Sequence, residues 1–198
     1  MKNKAIFLDR DGVINKVVYH KEMGIIDSPF TVGQIKLLPN ISKAINKFKD
    51  LGYKIIVVSN QPGVAKDHFS LEVFKRMKEK IRMDLERKKV VVDAEYYCLH
   101  HPYATVKKYK KICNCRKPKP GMILQAAKDH DIDISKSWMI GDGINDIQAG
   151  QKAGCRTVLI GRIKCDLCKI MEKEKVKPDY ITPNLYKAFL IIEKEERG

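Results

Sequence analysis

The sequence lacks long runs of apolar residues, internal repeats, low-complexity tracts and Gly/Ser-rich linkers. A membrane-spanning helix needs roughly 18 consecutive apolar residues, and no segment of this chain approaches that length. The amino terminus enters a strand-like run at once, which is unlike a secretory signal peptide. These absences predict a cytoplasmic protein in which residues 1–198 form a single domain, and we expect that domain to be a monomer.

The sequence also lacks a helix-turn-helix pattern and the aromatic platform of an RNA-recognition domain. Its 39 Lys and Arg residues outnumber its 24 Asp and Glu residues, which gives a formal net charge of +15. Such a charge attracts nucleic acid, anionic membranes or phosphorylated metabolites. Most of the lysines fall on helix-like segments and loops, where charged side chains usually form a solvated face. Nucleic-acid binding therefore rests on charge alone, and we expect neither a nucleic acid nor a membrane as the partner.

Short apolar runs bounded by turn residues alternate with helix-length segments along the chain. The strand-like runs are residues 4–8, 54–58, 94–98, 137–140 and 157–160. The helical segments are residues 41–51, 71–88, 121–129, 146–153 and a closing helix at 185–195. Gly52 and Gly154 follow two of these helices as carboxyl-terminal stops. The alternation predicts an α/β fold with a mainly parallel, Rossmann-like sheet flanked by helices.

Polar residues stand where several of the predicted strands end. The first strand is followed by Asp9 and Asp11, the second by Ser59 and Asn60, and the fourth by Asp142. In an open α/β sheet, ligands bind beyond the carboxyl ends of the strands, so these side chains should meet at one edge. Taken alone, however, the Asp-x-Asp-Gly segment also fits a turn or a helix cap.

Four motifs occur in a fixed order along the chain. They are Asp9-Arg10-Asp11-Gly12, Ser59-Asn60, Arg116-Lys117-Pro118 and Gly141-Asp142-Gly143. In this order, over residues 5–160, they resemble the haloacid dehalogenase (HAD) superfamily. The resemblance implies a HAD fold without a large cap domain, and a magnesium-dependent phosphatase that acts on a small phosphorylated metabolite.

The resemblance also implies a role for each acidic residue. Asp9 is the nucleophile that forms an aspartyl phosphate, and Asp11 protonates the leaving alcohol and then deprotonates the attacking water. Asp9, the backbone carbonyl of Asp11 and Asp142 hold Mg²⁺ with oxygen ligands. Ser59 and Lys117 stabilise the negative charge of the phosphoryl group. Asp146 has two interpretations, as a group near the magnesium or as an acidic residue in the first turn of a helix.

Four of the six cysteines lie close to one another or to histidines in the sequence. Cys98-Leu99-His100-His101 and Cys113-Asn114-Cys115 form Cys-x-His and Cys-x-Cys pairs, which together supply four ligands for one tetrahedral zinc. Either His100 or His101 fits the fourth position, and two unrelated pairs of buried thiols are the alternative. A Cys₃His site without an open position is structural, so we expect zinc to order a loop at residues 98–115 and to hold Arg116 and Lys117.

The combined motifs resemble the D-glycero-D-manno-heptose 1,7-bisphosphate 7-phosphatase family and the related histidinol-phosphate phosphatases. The segments that carry this resemblance are residues 7–12, Ser59-Asn60-Gln61, the cysteine loop and residues 115–122. The resemblance selects Cys98, His100, Cys113 and Cys115 as the zinc ligands and implies that Arg116 contacts the substrate. It also places Ser59, Asn60, Gln61 and Lys117 in the binding site for substrate and phosphate.

The long loop between His100 and Cys113 favours the heptose branch, so we expect the 7-phosphate of a sugar bisphosphate as the substrate. Histidinol phosphate and the 3′-phosphate of a polynucleotide are the alternative substrates, and a zinc-containing nucleic-acid-binding module is the alternative without catalysis. Two features depart from the family pattern, Gly143 after the motif aspartate and a long segment at residues 19–30. Cys165 and Cys168 form a lone Cys-x-x-Cys pair, for which we expect reduced thiols on a helix.

Overall fold

A computed structural model describes residues 2–161, 171 and 175–197 of the protein. These residues contain eight strands. In chain order they are β1 (Lys4–Leu8), β2 (Val18–His20), β3 (Ile25–Asp27), β4 (Tyr53–Asn60), β5 (Ala94–Cys98), β6 (Trp138–Gly141), β7 (Arg156–Ile160) and β8 (Tyr180–Thr182). Six of them form a parallel sheet in the order β5-β4-β1-β6-β7-β8. This arrangement confirms the predicted parallel sheet.

In the part of the chain that the structure describes, five α-helices connect and cover these strands. They are α1 (Ile41–Asp50), α2 (Leu71–Glu86), α3 (Gly121–Asp129), α4 (Ile144–Ala153) and α5 (Leu185–Arg197). Each lies within two residues of its predicted bounds, and Gly154 ends α4 in the left-handed conformation with φ of 95°. The pair Cys165 and Cys168 lies outside the described residues.

Alternate residues of the central strand pack on opposite faces of the sheet. Ile6 and Leu8 of β1 belong to an apolar cluster that also contains residues of α1, α2 and α5. Ala5 and Phe7 belong to a second cluster with residues of α3 and α4. All four β1 side chains are fully buried, as is typical of a parallel strand covered on both faces. The three-layer packing fixes β1, and therefore fixes the residues that follow it.

Two elements of the fold were not predicted from the sequence. Strands β2 and β3 pair antiparallel as a small hairpin, with Tyr19 opposite Ile26, in the segment predicted to be a long loop. Both side chains are exposed, so the hairpin lacks the buried alternation that identifies a strand from sequence. Strand β8 is only a three-residue edge strand, too short for a clear pattern. In the chain this hairpin lies between β1 and α1.

The register of the sheet brings the polar strand ends together. Leu8 at the end of β1 lies opposite Val57 of β4 and Ile140 of β6, and the amide of Asp9 donates to the carbonyl of Ile140 at 3.0 Å. Ser59 and Asn60 are the last two residues of β4, rather than residues that follow it. The three strands therefore present their polar residues at one edge of the sheet, as predicted. Among the described residues, no helix has the length and apolar character needed to cross a membrane.

Candidate active site

Three carboxylates converge at the carboxyl edge of the sheet. Asp9 follows β1, Asp142 follows β6, and Asp146 lies in the first turn of α4, with one oxygen of each within 4.8 Å of the others. The chain passes very close to them at Gly12, whose φ is 78°, and a Cβ built there would lie 1.9 Å from Oδ2 of Asp142. Glycine is therefore required at this position by both backbone conformation and space.

The ammonium group of Lys117 balances part of this negative charge. Its side chain is only 3% exposed, and its Nζ lies 3.0 Å from Oδ1 of Asp9 and 2.5 Å from Oδ1 of Asp146. The same ammonium donates to the carbonyl of Val58 at 2.8 Å. Burial alone would lower the pKa of Lys117, but the neighbouring charges of Asp146 and Asp9 outweigh burial and raise it. Lys117 is therefore a fixed cation within the acidic cluster.

Asn60 holds the backbone of Lys117 in place. Its Nδ2 donates to the carbonyl of Lys117 at 2.9 Å, and its Oδ1 accepts from the amide of the same residue at 3.0 Å. The side-chain amide thus mimics a strand partner and ties the segment after Cys115 to the end of β4. Ser59, only 1% exposed, lies beside it at the end of the same strand.

Asp11 stands apart from the three converging carboxylates, because its side chain turns towards a different set of partners. Its carboxylate accepts from the guanidinium of Arg10 at 3.1–3.3 Å, from Nδ2 of Asn15 at 2.8 Å and from Nε2 of Gln61 at 2.6 Å. Gln61 was predicted to bind substrate, but its side chain is fully buried and donates to Asp11 and to Ser59 Oγ. No sequence pattern predicted the contacts of Arg10 and Asn15 with Asp11.

A cleft of about 230 Å³ opens above the acidic residues. The polar side is formed by the residues at the strand ends, and the opposite side is formed by the β2–β3 hairpin and the residues next to it. The lining residues are Asp9, Asp11, Val17, Ile26, Asp27, Ser28, Asn60 and Asp142. The hairpin that the sequence did not predict therefore forms one wall of the candidate site.

The carboxylate cluster fits a hard divalent cation. Asp142 is exposed to solvent at one side, but desolvation by the neighbouring groups, together with the negative charges of Asp9 and Asp146, raises its pKa to about 8. Burial likewise raises the pKa of Asp146, although Lys117 opposes that effect. Crowded carboxylates of this kind are relieved by a cation, and an all-oxygen donor set is the one that Mg²⁺ prefers. Asp146 also accepts from the amide of Gly143 at 3.0 Å, so it caps the start of α4 as well as lying beside Asp9 and Asp142.

A second cluster contains Cys98, His100, Cys113 and Cys115, whose ligand atoms all lie within 4.8 Å of one another. The sulfur–sulfur distances are 3.1 Å, 3.3 Å and 3.6 Å, and Nδ1 of His100 lies 3.4 Å from the sulfur of Cys115. Sulfurs bound to one tetrahedral zinc at about 2.3 Å stand about 3.8 Å apart, close to this spacing. Three thiols and one imidazole are also the donor set of a structural zinc site.

His101 is not part of this cluster. Its Nδ1 accepts from the amide of Tyr103 at 3.1 Å, whereas the ring of His100 faces the sulfurs. The loop packs against the start of α3, because a Cβ built at Gly121 would lie 2.3 Å from the carbonyl of Asn114. Arg116 is half-buried, and its Nη1 donates to the carbonyl of His100 at 3.2 Å. The cluster is thus joined to Arg116 both along the chain and by this hydrogen bond.

Known proteins are similar to this chain in sequence and in fold. The HAD-hydrolase-like family model matches residues 114–188. The chain is 39% identical over 158 residues to a D-glycero-β-D-manno-heptose-1,7-bisphosphate 7-phosphatase of Photorhabdus laumondii, and the match covers 80% of each chain. It is 41% identical over 153 residues to the corresponding α-anomer enzyme of the same organism, covering 77% of this chain and 79% of the relative. The chain belongs to the heptose-bisphosphate phosphatase family of the HAD superfamily.

Solved structures agree with this family. The D,D-heptose 1,7-bisphosphate phosphatase from B. bronchiseptica, complexed with magnesium and phosphate, matches with a TM-score of 0.76 and 27% identity, over 97% of this chain and 99% of that one. The corresponding protein from Burkholderia thailandensis matches with a TM-score of 0.64 and 22% identity, over 95% of this chain and 97% of that one, and supports the fold. The predicted HAD fold, the resemblance to this family and the assignment as a phosphatase are confirmed.

The raised pKa of Asp142 predicts that the metal-free protein loses stability as pH rises from about 5 to about 8. In that window folded Asp142 retains a proton that the unfolded chain has released, so the folded state binds more protons and the free energy of unfolding falls with pH. Solvent reaches the Asp142 side chain, so screening reduces the size of the effect but not its sign.

Urea unfolding midpoints measured across this pH window, with and without Mg²⁺ in chelator-free buffer, check the prediction. The decline should be smaller in Asp142→Asn, which carries no titratable group there, and Mg²⁺ should offset it in the wild type. An equally steep decline in Asp142→Asn would contradict the assignment to this residue.

Proposed function

We propose that this protein removes the 7-phosphate of D-glycero-D-manno-heptose 1,7-bisphosphate, through an aspartyl phosphate formed on Asp9. The observation that carries the proposal is the convergence of Asp9, Asp142 and buried Lys117 at the carboxyl edge of the sheet, in a chain of the heptose-bisphosphate phosphatase family. A phosphoryl group is negatively charged, and its transfer needs an in-line nucleophile and positive charge around its oxygens. Asp9 lines the cleft, and the positive charge is that of Lys117, whose Nζ lies 3.0 Å from the Asp9 carboxylate.

Two aspartates carry out the bond-making steps in this proposal. A carboxylate oxygen of Asp9 attacks phosphorus as the bond to the sugar oxygen breaks, and Asp11 gives a proton to that oxygen. Asp11 then takes a proton from a water that attacks the aspartyl phosphate, which releases inorganic phosphate and restores Asp9. Both side chains line the cleft, which supports the proposal that they act on the same substrate molecule.

The charge of the phosphoryl group is stabilised by neighbouring groups. Ser59 and Lys117 are placed to do this, because Lys117 Nζ already lies 3.0 Å from the nucleophile and Ser59 ends the adjoining strand. Asn60 lines the cleft and also holds Lys117, so it contributes by contact and by position. Gln61 contributes through Asp11 rather than through the phosphate, since its side chain donates to that carboxylate.

We infer that Asp9, the backbone carbonyl of Asp11 and Asp142 hold one Mg²⁺, with Asp146 close behind them. When bound, the ion neutralises repulsion between these carboxylates and the phosphate and polarises a phosphoryl oxygen. The raised pKa of Asp142 supports the assignment, because it reflects the unbalanced negative charge that a cation removes. A solved relative complexed with magnesium and phosphate gives further support.

We also infer that Cys98, His100, Cys113 and Cys115 hold a structural Zn²⁺ that orders residues 98–115. The ordered loop directs Arg116 towards the part of the substrate that lies away from the transferred phosphate. The hydrogen bond from Arg116 to the carbonyl of His100 supports this role. Free thiols at these positions suit a reducing compartment, in keeping with a cytoplasmic enzyme. We propose that residues 1–198 work as one phosphatase domain, because every described helix packs on the same sheet.

Asp9→Asn should abolish turnover of the heptose bisphosphate, by about 10⁴-fold or more, because the amide cannot attack phosphorus. Fold and zinc content should be unchanged. Phosphate release is measured from both anomers of the substrate, with histidinol phosphate and a 3′-phosphorylated oligonucleotide assayed in parallel. The exposed Asp50→Asn is the matched control and should retain full activity. Faster release from either comparison substrate would overturn the substrate assignment, and normal rates in Asp9→Asn would overturn the mechanism.

The purified protein should contain roughly one zinc per chain. Cys113→Ser and Cys115→Ser should lose that zinc and lower the free energy of unfolding by more than about 3 kcal/mol, because closed zinc sites contribute to folding. Cys155→Ser is the control, since Cys155 is buried but stands outside the cluster. Elemental analysis and urea unfolding measure both effects. Wild-type protein without zinc would refute the assignment.

Arg116 and Lys117 should differ in their effects on kinetics. Lys117→Met should lower kcat by about 100-fold or more, since it removes the charge beside the transferring group. Arg116→Ala should mainly raise KM by about tenfold, which corresponds to about 1.4 kcal/mol of binding. Arg87→Ala, at an exposed arginine, is the control. Steady-state kinetics on the heptose bisphosphate distinguish these outcomes, and a silent Arg116→Ala would remove this residue from the substrate site.

A further inference from the structure

Three fully buried side chains surround the Asp11 carboxylate, and the functional roles given above use only one of them. Arg10, Asn15 and Gln61 are each 0% exposed, whereas the Asp11 side chain is 12% exposed at the edge of the cleft. Burying a guanidinium and two amides costs free energy unless they make hydrogen bonds. Their common partner is Asp11. Three polar side chains whose burial costs free energy therefore contact one carboxylate.

The three donors reach both oxygens of Asp11. Asn15 Nδ2 donates to Oδ1 at 2.8 Å, Gln61 Nε2 donates to Oδ2 at 2.6 Å, and Nη2 of Arg10 lies 3.1 Å from Oδ1 and 3.0 Å from Oδ2. A carboxylate only accepts hydrogen bonds, so both amides must turn their nitrogens towards it. Contacts to both oxygens from three directions prevent the carboxylate from rotating, while its exposed edge remains open to the cleft.

The same groups leave other polar atoms without partners. Within the part of the chain that the structure describes, Arg10 Nη1, Asn15 Oδ1 and Gln61 Oε1 are buried and make no hydrogen bond. An unsatisfied buried polar atom costs roughly 1–3 kcal/mol. Packing alone does not account for this cost, because apolar side chains of similar size would avoid it. The arrangement is the one expected when polar residues are retained for the group that they orient.

The backbone of the same segment brings Asn15 back beside Asp11. The amide of Asn15 donates to the carbonyl of Arg10 at 3.0 Å, and the amide of Gly12 donates to the carbonyl of Asn15 at 2.8 Å. Gln61 is anchored separately, because its amide donates to the carbonyl of Cys98 at 2.8 Å. The donors therefore come from two rigid elements, the turn after β1 and the end of β4.

We propose that Arg10, Asn15 and Gln61 are positioning residues that act through Asp11, by holding its carboxylate at the angle needed for proton transfer with the leaving sugar oxygen. The proposal rests on the acid and base role given to Asp11 under the proposed function. It assigns Gln61 to Asp11 rather than to the substrate. It also gives a function to the buried arginine next to the nucleophile.

Leaving-group dependence tests the proposal, because only a poor leaving group needs a proton. The heptose 7-phosphate releases an alkoxide-like oxygen, whereas p-nitrophenyl phosphate releases a stable phenolate. Gln61→Met removes the donor at similar volume and should lower kcat/KM on the heptose substrate by about 10–100-fold, part of what general acid catalysis supplies. On p-nitrophenyl phosphate the loss of kcat/KM should stay below about threefold, because kcat/KM reports the steps up to phosphoryl transfer and leaves out the later attack of water that Asp11 also assists. Arg10→Met should show the same selectivity, and Arg10→Lys should not restore the two-oxygen contact.

A double-variant comparison separates positioning from a structural effect. In an Asp11→Asn background, Gln61→Met should cause no further loss on the heptose substrate, since the group on which it acts is already disabled. Ser137→Ala is the matched control. Its buried hydroxyl accepts from the amide of Ala5 and donates to the carbonyl of Asp133, at the opposite edge of the sheet. Removing this hydroxyl should therefore lower stability without leaving-group selectivity. If Arg10→Met does not fold, Gln61→Met alone decides the result.

Each result has one interpretation. Equal losses on the two substrates, or a loss that persists in the Asp11→Asn background, would overturn the positioning role. Faster turnover in Gln61→Met would also overturn it, because the donors would then be restraining Asp11. If Asp11→Asn itself shows no leaving-group selectivity, the role of Asp11 under the proposed function fails instead. Selectivity in Asp11→Asn but not in Gln61→Met would reject this inference alone.

Discussion

The candidate site depends on one buried cation. Lys117 is almost fully enclosed, yet its ammonium lies against two carboxylates and a backbone carbonyl that come from three separate segments of the chain. Without that charge, Asp9 and Asp146 would be like charges buried side by side, which is strongly unfavourable. The sheet supplies Asp9, helix α4 supplies Asp146, and the segment after the cysteine cluster supplies the lysine. Electrostatic balance therefore adds to the strand pairing, the apolar packing and the Asn60 hydrogen bonds that bring these three elements together.

The cysteine cluster and the carboxylate cluster are mechanically connected. Only one residue separates Cys115 from Lys117. The side-chain amide of Asn60 donates to the backbone carbonyl of Lys117 and accepts from its backbone N–H. Arg116, between them, donates to the carbonyl of His100, which belongs to the cysteine cluster. With zinc bound as proposed, the cluster would resist deformation and would hold Arg116 and Lys117 in fixed positions. In that proposal the zinc affects binding and turnover without touching the substrate.

The β-hairpin and Asp146 mark the limits of reading this sequence. The central strands were identified because parallel strands buried on both faces appear as continuous apolar runs. The hairpin was not, because Tyr19 and Ile26 are exposed and their pairing leaves no periodic signal. Asp146 remained ambiguous because a group near the magnesium and an acid in the first turn of a helix require the same residue type. In the structure one of its oxygens accepts from the amide of Gly143 and the other faces Lys117, a contact that was not predicted from the sequence.

The sequence by itself determined the fold class, the family and the set of chemical groups, because motif order and apolar patterning are local properties of the chain. It also identified the three cysteines of the cluster, whose spacing is typical of metal ligands, and the family resemblance selected His100 over His101 as the fourth member. Only the tertiary structure decided which groups meet. It turned Gln61 from the cleft to Asp11, set Arg10 and Asn15 beside the same carboxylate, and enclosed Lys117 between two acids. The physical reason is that side-chain partners from distant segments are selected by sheet register and burial, which no single stretch of sequence encodes.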